Sequence, residues 1–330
     1  MQIDFKKKML FVVLLCTAGA VLSLCLGAAR LSLADLWQAV TEGTGSAAGR
    51  IFWYSRLPRT AACMLSGAGL AVSGAVIQRV LANKLASPGI IGVNAGAGMA
   101  VTVCCAVGAM TGWVIAGAAF AGALASTMLI TLTAQKIGAS RATVILGGVA
   151  VNSFFNAVSE GIITLVPEAG MMSSDFRIGG FSSVAYTRLI PAGILILLAM
   201  GVVMTLRNEL DILELGEESA QGLGMNVKKS RTILLILAAL MAGASVSFAG
   251  LLGFVGLVVP HASRRLAGNE SRHLLPFCAV GGAAFVVICD LMARCIFAPY
   301  EIPTGILMAL LGGPFFVFLL LKKRGGYEYD

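Results

Sequence analysis

RNELDILELGEESAQGLGMNVKKSR, residues 207–231, is an island of charge in an otherwise apolar chain. It holds nine of the chain's 40 charged residues, and five of the nine are acidic: Glu209, Asp211, Glu214, Glu217 and Glu218. Leu210, Leu213, Leu215 and Leu223 interleave with these acids. A short helix of that pattern buries one side and offers the other to water or to a protein. Two readings stand at this point, a solvated loop and a docking surface for a soluble partner.

The segments on either side decide the class of molecule. The 330 residues are 58% hydrophobic and 12% charged, about half the charged fraction of an ordinary soluble domain. Several apolar stretches approach or exceed the ~20 residues that cross a bilayer as a helix. They are too long and too uniformly apolar for the strands of a membrane barrel. The expectation is an all-α polytopic membrane protein, one transmembrane domain over 1–330 with 207–231 as a soluble segment inside it. The net charge of +8 does not point to nucleic acid, because the cations sit at the ends of apolar runs rather than along one groove. The eight cysteines lie within or beside apolar segments and show no C-x-x-C spacing, which argues against a redox or zinc site.

Taken in order, Lys6, Lys7 and Lys8 precede an apolar run over 9–29. That run is longer than a signal-peptide core and reads as a first membrane helix with its lysines inside. The linker 30–58 carries Leu33, Leu36, Trp37 and Val40 at the spacing of an amphipathic surface helix. RLPR at 56–59 places two arginines on the outer side, against the positive-inside tendency. They read either as headgroup contacts or as a docking contact for an acidic partner. The second helix, 60–80, is kept slim by Ser66, Gly67, Gly69, Ser73 and Gly74, and Gln78 and Arg79 mark its inner end. NKLASPGIIG at 83–92 reads as a turn or broken-helix joint. Helices over 90–110 and 113–134 follow, with Gln135, Lys136 and Arg141 marking an inner loop.

The fifth helix, 142–166, carries Asn152, Asn156 and Glu160 at i, i+4 spacing on one face. Polar groups in a membrane are costly, so this face meets either a water-filled path or a neighbouring helix. An outer segment over 167–186 reads as a short helix or cap, followed by helices over 189–206 and 232–251. GLLGFVGLVVPHASRRL at 250–266 is short for a crossing, and Pro260 is expected to break or kink it. His261 and His273 lack partners at metal-ligand spacing. The helix over 274–296 carries Asp290 and Arg294 one turn apart, close enough to pair. Asp290 and Glu160 otherwise read as isolated acids near the outer surface. Glu301 and Pro303 introduce the last helix, which continues to Leu321 and ends on Lys322, Lys323 and Arg324. Ten crossings, the eighth short, put both termini inside and 17 of the 24 Lys and Arg residues on the inner side, as the charge rule favours.

The chain has no G-x-x-x-x-G-K-[ST], so it does not bind ATP by that route. It has no H-E-x-x-H or G-x-S-x-G either, and no cofactor or metal site of its own is expected. Energy for any transport then comes from a partner or a gradient, and the segment 207–231 favours a partner. A secondary transporter with a midplane site is the main competing class. A channel would need a charged or carbonyl-lined constriction, and none is evident.

Several long motifs in order resemble the FecCD/BtuC family of ABC-transporter permeases, which import iron chelates, haem and cobalamin. They are RLPR at 56–59, GAGLAVSGAVIQ at 67–78, NKLASPGIIGVNAGA at 83–97, LGEESAQGLG at 215–224, GFVGLVVPHASR at 253–264 and EIPTGILMALLGGPFF at 301–316. The family usually has NPLA where this chain has NKLA. The resemblance implies the type II importer architecture: a ten-helix subunit in the cytoplasmic membrane of a bacterium or archaeon, paired with a second copy around a central path. It implies two ATPase subunits, carrying the ATP and Mg2+, docked on Glu209, Leu213, Glu214, Leu215, Gly216, Glu217, Glu218, Leu223 and Gly224. It implies an external or periplasmic substrate-binding protein received by Arg56, Arg59 and Arg294, and a path walled by Asn152, Asn156 and Glu160. The favoured cargo is an iron–siderophore chelate, with haem and cobalamin as alternatives.

Overall fold

The computed structural model describes residues 2–27, 31–136 and 141–324. In chain order its helices are α1 (Gln2–Cys25), α2 (Leu33–Glu42), α3 (Ala47–Ile51), α4 (Leu57–Val80), α5 (Val93–Ala106), α6 (Gly112–Lys136), α7 (Arg141–Leu165), α8 (Pro167–Ile178) and α9 (Tyr186–Thr205). There follow α10 (Arg207–Glu214), α11 (Glu217–Gly222), α12 (Val227–Ala249), α13 (Val255–Ala267), α14 (Ser271–Cys295) and α15 (Thr304–Arg324). A π-helical turn, Phe52–Arg56, leads into α4. The protein is an all-α, polytopic membrane protein.

Helices stand at all ten expected crossing positions, but they are not alike. Among the described residues, six stretches are long and apolar enough to cross a bilayer: Phe5–Cys25, Ala47–Val80, Gly112–Thr133, Tyr186–Thr205, Val227–Ala249 and Ser271–Cys295. Of the other four, α5 and α13 have only 14 and 13 residues. At 1.5 Å per residue they are about 20 Å long, against roughly 30 Å of hydrocarbon. α15 is apolar over Thr304–Phe318, and α7 carries the polar positions Asn152, Asn156 and Glu160. α5 is shorter than its apolar run because the preceding residues fold into turns. Asn83 Oδ1 accepts from the Leu85 backbone N–H at 2.9 Å, and Ile90 N–H donates to the Ser87 carbonyl at 3.0 Å.

Of the two outcomes expected at Pro260, a break is absent: α13 runs through it. Proline offers no N–H to the carbonyl one turn back, that of Gly256. Gln78 Nε2, from α4, donates to that carbonyl at 3.1 Å instead. A polar side chain of a neighbouring helix thereby satisfies the backbone group that proline leaves free.

α4 lies at the centre of the bundle, packed on α12, α13 and α14. A Cβ on Gly67 would lie 2.2 Å from the Gly282 carbonyl oxygen of α14. The small residues therefore bring these two backbones into direct contact. Polar contacts gather at two opposite ends. One end brings together Phe5, Arg79, Asp211, Arg264, Ser271 and His273. The other brings together Ser23, Arg59, Asp290, Arg294 and Glu301. The charge asymmetry read from the sequence also uses Lys136, Arg141, Lys322, Lys323 and Arg324, whose side chains lie outside the described ones, as does Arg30.

Candidate functional site

At the first end, α10 and α11 form a corner on the helix bundle. Leu210, Leu213 and Ala220 are buried and seat it, whereas Leu215 and Leu223 are 66% and 65% exposed. Gly216 and Gly224 adopt φ of 114° and 81°, where a side chain would be strained, so they set the corners. The acids divide into two sets. Glu217 pairs with Arg231 at 3.1 Å. Asp211 and Glu214, one turn apart, both pair with Arg79 Nη1; Asp211 accepts a hydrogen bond from it, and Glu214 lies at 3.1 Å. Glu218 is exposed and Glu209 half-buried. Asp211 Oδ1 also accepts from the Ser271 backbone N–H at 3.1 Å.

Between the ends, α7 presents its polar stripe beside a cavity of about 340 Å³. Gly89, Asn94, Asn152, Asn156, Ser159 and Arg177 are among its lining residues. Asn152 Nδ2 donates to the Gly89 carbonyl at 2.8 Å, which ties α7 to the turn before α5. Glu160 pairs with Arg177 of α8 at 2.5 Å, so it is not isolated. Val149, on the same helix, is 53% exposed.

At the second end the three arginines face inward. Asp290 has no exposed surface. It accepts from Arg59 Nη2 at 3.0 Å, pairs with Arg294 Nε at 3.0 Å and accepts from Thr304 Oγ1 at 2.9 Å. The local Asp290–Arg294 pair is present, but Asp290 is also the centre of a cluster drawn from α4, α14 and α15 rather than an isolated acid. Arg294 Nη2 donates to Ser23 Oγ at 2.7 Å, and Arg56 donates to the Leu26 carbonyl. Arg56 and Arg294 are buried, so in this conformation they serve α1 and the bundle rather than standing out toward a partner. Arg59 is 12% exposed and pairs on its outer edge with Glu301 at 2.7 Å. α8 covers this end. Gly179 and Gly180, at its terminus, are held by backbone hydrogen bonds. Gly180 N–H donates to the Ala249 carbonyl at 2.8 Å, and Gly305 N–H donates to the Gly179 carbonyl at 3.1 Å.

Among the described residues, no three His, Cys, Asp or Glu side chains gather as metal ligands. The model of the FecCD transport family matches residues 14–322. The chain belongs to that family. It is a FecCD-type ABC permease, a membrane subunit of a kind not known to be catalytic that functions with ATPase and substrate-binding partners. It is 36% identical to the Fe(3+)-citrate import system permease protein YfmD of Bacillus subtilis, over 93% of this chain and 92% of that one. It is 35% identical to the hemin transport system permease protein HmuU of Yersinia pestis, over 95% of each. Its fold matches a solved metal-chelate type ABC transporter in an inward-facing conformation, with a TM-score of 0.86, 28% identity and coverage of 96% of this chain and 99% of that one.

Reading the sequence missed Arg79, noted only as an end marker, together with Ser23 and Thr304. The signal for Arg79 was available. A cation in the last turn of an apolar helix needs an acid, and Asp211 and Glu214 offer two at i, i+3.

Proposed function

We propose that this FecCD permease imports a ferric chelate of the iron–siderophore type. In this reading it works as one of two copies around a central path, with two ATPase subunits seated on the α10–α11 end. That end lies in the cytoplasm with both chain termini. A substrate-binding protein, periplasmic or otherwise external, delivers cargo to the opposite end. Arg59 is the docking cation that reaches the surface there, with Arg56 and Arg294 supporting it from behind. Asn152, Asn156 and Glu160 line the path. The permease does no chemistry on the cargo; ATP and Mg2+ belong to the partner subunits.

The observation that carries the ATP-driven reading is the α10–α11 corner, fixed from below by Leu210 and Leu213 and presenting Leu215, Glu218 and Leu223 outward. An apolar pair with an acid, held rigidly beyond the bundle, is what a soluble partner would grip. For the cargo, neither histidine is among the residues that line the cavity beside α7. His261 lies edge-on to Phe315 with ring centroids 6.0 Å apart, its Nε2 buried and without a hydrogen-bond partner among the described residues, and His273 pairs with Glu270 at 3.3 Å. That favours cargo carrying its own ligands over haem, the alternative along with cobalamin.

The test is reconstitution with the cognate ATPase and binding protein. Uptake of a radiolabelled ferric chelate should require ATP and both partners. Gradient-driven uptake by the permease alone would overturn the reading in favour of a secondary transporter. Glu218→Lys combined with Leu223→Ala should weaken ATPase association by about 1–2 kcal/mol, roughly five- to thirtyfold, with the permease's own melting temperature unchanged. A binding protein that prefers haem or cobalamin to ferric chelates would overturn the cargo alone.

A further inference from the structure

We infer that Arg79 is the positioning residue through which the α10–α11 corner moves the bundle, making α4 and α14 a single strut between the two ends. The inference rests on the ATP-driven reading above. Arg79 is in the last turn of α4 and is 1% exposed. Its Nη1 holds both Asp211 and Glu214 of α10, while its Nε and Nη2 are buried without an acceptor among the described residues. A buried cation held on one edge by two acids of one short helix does not let that helix slide. Any displacement that parts them leaves the charge unpaired away from water.

Asp211 extends the connection by accepting from the backbone of Ser271, the first residue of α14. Gln78 extends it to α13, donating to the Gly256 carbonyl and accepting from Arg264 Nη1 at 2.5 Å. A push on α10 therefore reaches α4, α13 and α14 together. At the far end the same two helices are joined again, Arg59 of α4 to Asp290 of α14. Between these clamps Gly67 and Gly282 hold the backbones in contact. With 24 and 25 residues, these helices span about 36 Å. Among the described residues no ion pair or hydrogen bond ties α10 to α7, so movement enters through the strut and the wall follows.

The experiment uses the full complex of permease, ATPase and binding protein in proteoliposomes, and measures cargo uptake and ATP hydrolysis on the same preparation. Arg79→Met should leave ATPase association and hydrolysis in place. It should lower uptake per ATP by roughly tenfold, the size of a coupling between directly paired residues. Arg79→Lys should recover part of the ratio. Unchanged uptake per ATP, or uptake and hydrolysis falling in parallel, would overturn the inference. If Arg79→Met does not assemble, the exchanged pair Arg79→Asp with Asp211→Arg decides. A ratio above that of either single variant supports the strut, and no recovery overturns it. A wild-type complex without ATP-driven uptake would instead sink the transport reading, and the inference with it.

Discussion

α4 and α7 are nearly equal in length, 24 and 25 residues, and both carry polar side chains, yet they use them in opposite ways. On α4 the charged groups sit at the two ends, and each is committed to acids of a neighbouring helix, Arg59 to the buried Asp290 and Arg79 to the half-buried Asp211 and the exposed Glu214. On α7 the polar groups run through the middle. Asn152 makes one bond to a loop carbonyl, Glu160 pairs at an exposed site, and Asn156 is exposed. Charges committed at helix ends fix a helix in place. Polar groups left open along its middle do not.

The largest effect should come from undoing the outer clamp of α4. Asp290→Ala leaves Arg59 and Arg294 without their shared carboxylate, and breaking such a buried arrangement from one side costs about 3–5 kcal/mol. Thermal melts in detergent should show a steep loss for Asp290→Ala and a smaller one for Asp290→Asn, which keeps an acceptor for Thr304. A melting temperature equal to the wild type's would mean that α4 is no more fixed than α7.

A smaller effect, on reactivity rather than stability, should separate the helices. In a background without the native cysteines, Asn156→Cys and Glu160→Cys should react readily with a charged thiol reagent. Asn152→Cys, half-buried against the Gly89 turn, should react slowly. Cys63 restored alone on α4, fully buried, should not react. Val149→Cys sharpens the comparison. It is exposed, so reaction there places it on the aqueous path, and inertness places it against lipid. If positions 156 and 160 were as inert as Cys63, the stripe would be a seam between helices.

The smallest effect should be at the exposed pair on the wall. Arg177→Ala removes the partner of Glu160, and exposed ion pairs contribute about 0.2–1 kcal/mol. A melt shifted as far as that of Asp290→Ala would erase the distinction between the two helices.

The contrast also marks where the sequence was readable. The helices themselves follow from local apolar length, and the acid–leucine alternation of 207–231 was visible as a surface. The pair Asp290–Arg294 was visible because its members are one turn apart. Arg59 finding Asp290 was not, because 231 positions separate them and only the packing of α4 on α14 brings them together. The same reason hid the inward turn of Arg56 and Arg294, whose acceptors Ser23 and Leu26 belong to α1 and the residue just beyond it. The length of α5 was misjudged because turns displace the start of an apolar run that is otherwise helical in pattern, and Asn152, 63 positions away, braces them.

The Gln78 bond to the Gly256 carbonyl has a consequence for anyone grafting or recombining segments of this protein. Pro260 and Gln78 form one unit of inheritance although the donor and the carbonyl it serves are 178 positions apart. A chimera that takes the α13 segment from this chain and α4 from a protein with an aliphatic side chain at position 78 would carry a backbone oxygen stranded in the bundle. The reverse chimera would strand an amide. Crossovers should therefore move both segments or neither.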